Sequence, residues 1–456
     1  MLNLCIYKQK TPHTNLGENS VTVPVGKRFG SYLLCSIVVV SLSLLAAAAA
    51  QQDAPPGIPP NVSAANWYWG PANRWSWHNT RRIFPTAQIS RGAGPVNPLT
   101  LSNRDLSKLT FIDPVTHKSM TVAEMLDTTY TDGFLVLQHG QILSETYRNG
   151  MTQVQPHLLM SVSKSIMGTL AGILVGRGEL DPAKLVTDYV PEMKGTVYEG
   201  ATIRNLLDMS VDDPQERAAM KTAQGTASEY EAVDEAGGWL PATPTSAPGL
   251  RSYLTGLRRA RGINGKQFLY LDQSAILIGW VMERAAHKDL SQLLSEDLWA
   301  KLGAEQDAYM LLDHHQQAYS SAGFNATLRD LGRFGEMMAQ GGRYNGEQIV
   351  PKDWVQDIRT NGTATGKSDV GLAAPAPWPG HRHGTYRSFW WLADSSCKRF
   401  AGVGLGGQLL IIDPVADMVI VKFDSVPDAS LDEKTYQTQY QAIDAIIQSV
   451  SGHGCS

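Results

Sequence analysis

The stretch Met160-Ser161-Val162-Ser163-Lys164-Ser165-Ile166-Met167-Gly168-Thr169-Leu170 decides how this chain is read. A serine and a lysine stand three residues apart, at the head of an apolar run that continues through Ala171, Ile173, Leu174 and Val175. Read as a helix, the run puts Ser161 and Lys164 on one face, about one turn apart. Ser161 then falls in the first turn, where backbone N–H groups lack helical partners and point at whatever binds there. Acyl transfer needs a hydroxyl nucleophile, an amine to take its proton and an amide donor for an oxyanion, and all three are present. The stretch predicts a serine hydrolase built around Ser161. Its alternative is an ordinary helix N-cap, a position serine favours.

Context separates this Ser-x-x-Lys from a second one, Ser395 to Lys398, which follows Trp390-Trp391 in a polar stretch and opens no apolar helix. The apolar run after Ser161 suits burial. Desolvation lowers an amine's pKa, so Lys164 is expected to be neutral.

The 456 residues are 43% hydrophobic and 18% charged, enough for a large core or two domains. A formal net charge of -4 leaves no basic excess to neutralise phosphates, so nucleic acid is not the expected partner. Four cysteines are too few for a disulfide scaffold, though Cys397 and Cys455 could pair in an oxidising compartment. No Cys-x-x-Cys and no His-Glu-x-x-His is present, so neither a metal nor a cofactor is implied.

Lys27 and Arg28 precede an apolar stretch from Tyr32 that ends Ala-rich before Gln51, the pattern of a secretory signal. Export to the periplasm or medium is the expectation, and an uncleaved membrane anchor is the alternative. Residues 1–50 read as tail and signal, and 51–100 as linker and Trp-rich extension. The span 101–180 is the first part of an α/β domain with the Ser-x-x-Lys helix. A mostly helical domain covers 181–330, and 331–456 returns to the α/β domain with C-terminal strands and a helix. The four tryptophans Trp67, Trp69, Trp75 and Trp77 either form a stacking platform or, the favoured reading, pin the extension onto the body.

Gly133 to Tyr147 reads as a hairpin turning at His139-Gly140. Helices are expected from Asp181-Pro182 toward Tyr189, over Thr202–Met209, over Leu250–Arg259 and over Leu328–Met338, the last capped by Thr327 or Asn325. Ser210 to Gly249 reads as a long polar loop holding Asp212, Asp213, Glu229, Tyr230 and Asp234. A turn bearing Tyr270 and Asp272 leads into an apolar helix. Strands are expected at Phe389–Leu392, Phe400–Pro414 and Met418–Phe423, then a helix over Thr435–Val450.

Gly402-Val403-Gly404-Leu405-Gly406-Gly407 contains Gly-x-Gly-x-x-Gly, but a β-run and not a helix follows it, which argues against a dinucleotide site. A strand edge stripped of side chains, where substrate lies against backbone, fits better. His314-His315 and His381-Arg382-His383 read as solvated loops.

Ser161-x-x-Lys164, Tyr270-x-Asp272, Asn325 before a helix and a Gly-rich C-terminal strand occur in an order that resembles the serine β-lactamase and penicillin-binding-protein superfamily. The wording of Leu158–Ser165, Ala201–Met209 and Gly404–Gln408 is similar to the class C-like branch containing 6-aminohexanoate-dimer hydrolases. The resemblance runs from about Trp67 to the end. It implies an α+β fold: an antiparallel β-sheet flanked by helices, with an inserted mostly helical domain. It implies an acylated Ser161, Lys164 as proton acceptor or its holder, and Tyr270 shuttling the proton to the leaving group. The oxyanion would rest on the N–H of Ser161 and one of the Gly-rich strand, Gly407. Asp234, Asp272, Asn325 and Gly406 would contact substrate, a small amide or ester.

Two departures stand out. The family's Tyr-x-Asn is Tyr270-x-Asp272, an acceptor in place of an amide. The Lys/His-Thr-Gly strand of penicillin-recognising members is replaced by Gly404-Leu405-Gly406, with no group to hold a β-lactam carboxylate. The sequence therefore points to an amidase or esterase. A β-lactamase or penicillin-binding enzyme, and an inactive ligand-binding member of the fold, are the alternatives. Oligomeric state is left open.

Overall fold

Both turn residues His139 and Gly140 adopt positive φ, 51° and 70°, the geometry that matches the twist of a tight hairpin. The hairpin they close belongs to the central sheet of a computed structural model that describes residues 57–212, 229–258, 263–364, 385–393, 398–428 and 432–453. The apolar N-terminal segment, Asp213, the histidines at 381 and 383, Ser395, Cys397 and Cys455 lie outside the described residues. By contact density residues 1–61 and Val62–Ser456 are separate units. Of the first, residues 57–61 are described, as turn and irregular chain.

Among the described residues nine strands form the central sheet of the second unit. They are β1 (Thr100–Leu101), β2 (Thr131–Gln138), β3 (Gln141–Tyr147), β4 (Thr363–Ala364), β5 (Thr385–Arg387), β6 (Trp390–Leu392), β7 (Phe400–Gly404), β8 (Gln408–Asp413) and β9 (Met418–Asp424). Their order across the sheet is β4-β5-β6-β7-β8-β9-β2-β3-β1. Every pairing is antiparallel except β1 on β3. The long run from Phe400 to Pro414, expected as one strand, is two. Gly406 and Gly407 take φ of 73° and 94° and turn the chain back on itself.

Helices cover both faces. On one face α1 (Val122–Thr128) and the C-terminal helix (Asp432–Ser451) bury Phe134, Val136, Leu409, Ile411 and Ile420 under Met125, Leu126, Tyr440 and Ile443. On the other, α2 (Val162–Gly176) and the helix Leu328–Ala339 lie against the sheet. Gly332 meets Leu135 and Leu137 there, and Gly335 meets Leu410 and Val419. Covering both faces explains why β2, β8 and β9 read as continuous apolar runs and not as alternating ones.

A second, four-stranded sheet runs in the order Thr86–Ile89, Ala308–Leu311, Phe324–Ala326, His157–Leu158. It carries the N-terminal extension and the end of the helix-rich region to the residues just before Ser161. The span 181–330 therefore contributes strands as well as helices. Within it, Glu229–Ala236 is helical where a loop was expected, and the helix after Asp181 is confined to Val186–Tyr189. Trp67 and Trp77 are fully buried, and Trp67 donates through its indole N–H to the Trp239 carbonyl at 2.8 Å. The extension is thus packed into the body, as favoured.

Candidate active site

Helix α2 is buried on all sides, from Val162 through Leu174. Its glycines let neighbours approach closely. A Cβ on Gly172 would lie 2.2 Å from the Trp354 ring, and that indole donates to the Gly168 carbonyl at 3.1 Å. Ser161 stands at the N-terminus in helical geometry, yet its side chain caps nothing. Met160 before it is buried with φ of 47°, a strained conformation for a side chain of that size. Val162, Ser163 and Lys164 give their N–H groups to Leu159, Met160 and Ser161, and none of these turns uses the N–H of Ser161. The half-buried serine therefore keeps a hydroxyl and an amide that these first turns of the helix do not use. The N-cap alternative fails on this geometry.

Lys164 is fully buried and donates to Ser161 Oγ at 2.8 Å and to the Ser321 carbonyl at 3.0 Å. Its third partner is the Asp272 carboxylate, in a close ion pair. Asp272 opens the helix α3 (Asp272–Ala286), where the helix dipole favours a negative charge. Burial alone lowers the amine's pKa, but the Asp272 charge, then Tyr270, outweigh it, and the net shift is upward. Lys164 is thus an ammonium at rest, and the neutral amine expected from burial is corrected. The reason is a carboxylate that burial arguments on one helix do not include.

Tyr270 precedes α3, half-buried, with its hydroxyl bonded to Ser161 and Lys164. Its ring lies 5.0 Å from Lys164 Nζ and stacks on Trp391 at 5.5 Å, and Tyr386 meets it edge-on at 6.1 Å. Burial raises its pKa against the pull of Lys164. Those aromatics hold a tyrosine that sits on irregular backbone. Ser161, Lys164 and Tyr270 are brought together as the sequence predicted.

The Gly-rich strand β7 abuts the head of α2. A Cβ on Gly404 would stand 2.5 Å from the Leu159 carbonyl oxygen and 2.9 Å from the Ser161 nitrogen. Gly404→Ala therefore has to push the first turn of α2 away. The expected result is a fall of about 10²-fold in kcat for ester turnover, with the fold retained. Unchanged kcat would show that this turn yields freely.

A β-lactamase family model matches residues 122–434. The 6-aminohexanoate-dimer hydrolase of Paenarthrobacter ureafaciens is 33% identical over 365 residues, 80% of this chain and 88% of that one. The chain belongs to the β-lactamase family. It is a serine hydrolase with the β-lactamase/transpeptidase-like fold. A solved Bacillus anthracis protein assigned as a 6-aminohexanoate-dimer hydrolase superposes with a TM-score of 0.76 at 26% identity, covering 86% of this chain and 98% of that one. A Bacteroides dorei protein assigned as a β-lactamase shares the fold, with a TM-score of 0.56 at 17% identity over 73% of this chain and 97% of that one.

Other expected contacts in this β-lactamase-family hydrolase fall elsewhere. Asn325 is fully buried, accepting from Thr80 at 2.9 Å and donating to the Gly323 carbonyl at 2.9 Å. It is a structural residue, and Thr327 caps the following helix. Asp272 contacts Lys164. Gly406 packs on Trp77, whose ring occupies the space a Cβ would need, and Gly407 faces Asp424. The glycine at the Ser161 nitrogen is Gly404. Asp234 is buried, accepts from the Tyr319 hydroxyl at 2.5 Å, and has its pKa pushed to about 8 by burial.

Sequence reasoning missed the support behind the Gly-rich turn. Lys422 and Asp424 form a buried ion pair on β9. Gln408 donates to the Asp424 carbonyl at 2.6 Å and Gln439 to its side chain at 2.5 Å. The signal available was two charged residues at alternate positions of the apolar run Met418–Asp424. Ser321, whose carbonyl holds Lys164, carried no signal.

Proposed function

We propose that this protein hydrolyses small linear amides and esters through a covalent acyl-enzyme on Ser161. The observation that carries the reading is Lys164 Nζ at 2.8 Å from a Ser161 hydroxyl that caps no helix. Ser161 Oγ attacks the carbonyl carbon, and its proton leaves through Lys164. The developing oxyanion rests on the N–H of Ser161 and one from the Leu405–Gly407 turn. Tyr270, touching both Ser161 and Lys164, passes a proton to the leaving amine or alcohol. Water then repeats the sequence on the ester.

The relative's name makes the 6-aminohexanoate dimer the first amide to test. Gly404-Leu405-Gly406 at the cleft edge supplies no cation for a β-lactam carboxylate, which favours amides and esters over penicillins. The N-terminal signal pattern supports export. One panel tests the reading: a fluorophosphonate probe, p-nitrophenyl esters, short linear amides and nitrocefin. Labelling of Ser161 with ester or amide turnover at least about 10²-fold above nitrocefin is expected. Nitrocefin as the best substrate would favour a β-lactamase instead. Absence of labelling would favour an inactive binding protein.

A further inference from the structure

The ion pair beside Ser161 raises a question of proton accounting. Lys164 has three N–H bonds and four partners within reach of them, Ser161 Oγ, the Ser321 carbonyl, Asp272 and the Tyr270 hydroxyl. An ammonium so held has no lone pair with which to take a proton from Ser161. Tyr270 is a phenol and cannot take one either. Among the described residues, the other titratable groups found coupled to Asp272 are Asp234, Tyr319 and Tyr386. Asp234 is occupied by Tyr319, and burial holds it protonated at neutral pH. Tyr319 and Tyr386 are buried phenols, their pKa values raised by desolvation. That leaves one group in the cluster with room for a proton.

We propose that Asp272 stores the proton of acylation, acting through Lys164. It is a positioning residue, since it touches the amine and not the reacting carbonyl. The inference rests on Ser161 being the nucleophile. The Lys164 proton that faces Asp272 crosses to the carboxylate, leaving a neutral amine beside a carboxylic acid. The amine then takes the Ser161 proton as Oγ bonds to the carbonyl carbon. Collapse of the tetrahedral adduct breaks the bond to the leaving group, which takes the Tyr270 proton. Tyr270 is refilled from Lys164, and Lys164 from Asp272. Every proton returns and no redox change occurs.

The physical reason is the dry site. Charged and neutral forms of a buried lysine–carboxylate pair hold the same number of protons, and desolvation narrows the gap between them. Base strength is then available without losing a proton to bulk water. An amide at the same position, the pattern of the family this chain resembles, offers no such store. Its lysine exchanges protons with solvent alone, and so with a pH dependence.

The test is the rate of Ser161 labelling by a fluorophosphonate between pH 5 and 10, on the full-length protein. In the native protein the rate is expected to vary by less than about threefold from pH 6 to 9. Asp272→Asn leaves burial unopposed at Lys164, so labelling is expected to rise about tenfold per pH unit below the lowered pKa of its amine and to level off above it. A variant whose profile is as flat as the native one from pH 5 to 10 overturns the proposal. If the variant does not fold, the native profile decides: a tenfold rise per unit across pH 6 to 9 overturns it. No labelling of the native protein at any pH overturns the nucleophile assignment instead, and this inference with it.

Discussion

Ser161→Ala is expected to cut ester and amide turnover by on the order of 10⁵-fold, because the atom that forms the acyl bond is gone. Substrate binding and the fold should both survive. Ser161 is half-buried, its side chain makes no cap, and alanine fits the same helical backbone. Thermal stability should therefore move by only about 1–2 °C. The informative measurement is the pair: turnover lost, melting temperature kept. Turnover within about tenfold of the native enzyme would place the nucleophile elsewhere.

Lys164→Ala is expected to do two things at once. Turnover should fall by about 10³- to 10⁴-fold, since Ser161 loses the group through which its proton leaves. Stability should fall as well, by about 3 kcal/mol, because the half-buried Asp272 is left without its counter-charge. The sign of the pH dependence follows from linkage. In the variant the folded protein holds a proton on Asp272 that the unfolded chain gives up at lower pH. The folded state then binds more protons, so stability drops as pH rises. The deficit in denaturant midpoint relative to the native protein should be larger at pH 8 than at pH 5. An equal deficit at both would mean that Asp272 does not carry the charge the geometry gives it. Ser161→Ala lacks this second effect, which separates the nucleophile from its electrostatic support.

Much of the site was legible because its signals are local. The spacing of Ser161 and Lys164 puts them on one face of any helix, and the apolar run after them makes the helix. His139-Gly140 announces its hairpin, and Thr202 and Thr327 cap the helices that follow them. The order of Ser161, Tyr270 and the Gly-rich strand carried the resemblance, and the family match upholds it. Asn325 marks a limit, because a buried amide and a substrate-facing amide look alike until its neighbours Thr80 and Gly323 are in place. The Phe400–Pro414 run concealed a turn, since glycine in a strand signals either a close approach or a reversal, and here it serves both.

The chain's own order of residues thus settled which elements present Ser161 and Lys164, for helix faces and tight turns depend on neighbours a few positions away. The charge on Lys164 was decided only by folding. Burial alone argues for a neutral amine, and Asp272, delivered by a separate helix, reverses the sign. Inside a protein the field at one atom is set by everything packed within a few ångströms, and that company is assembled by the tertiary structure.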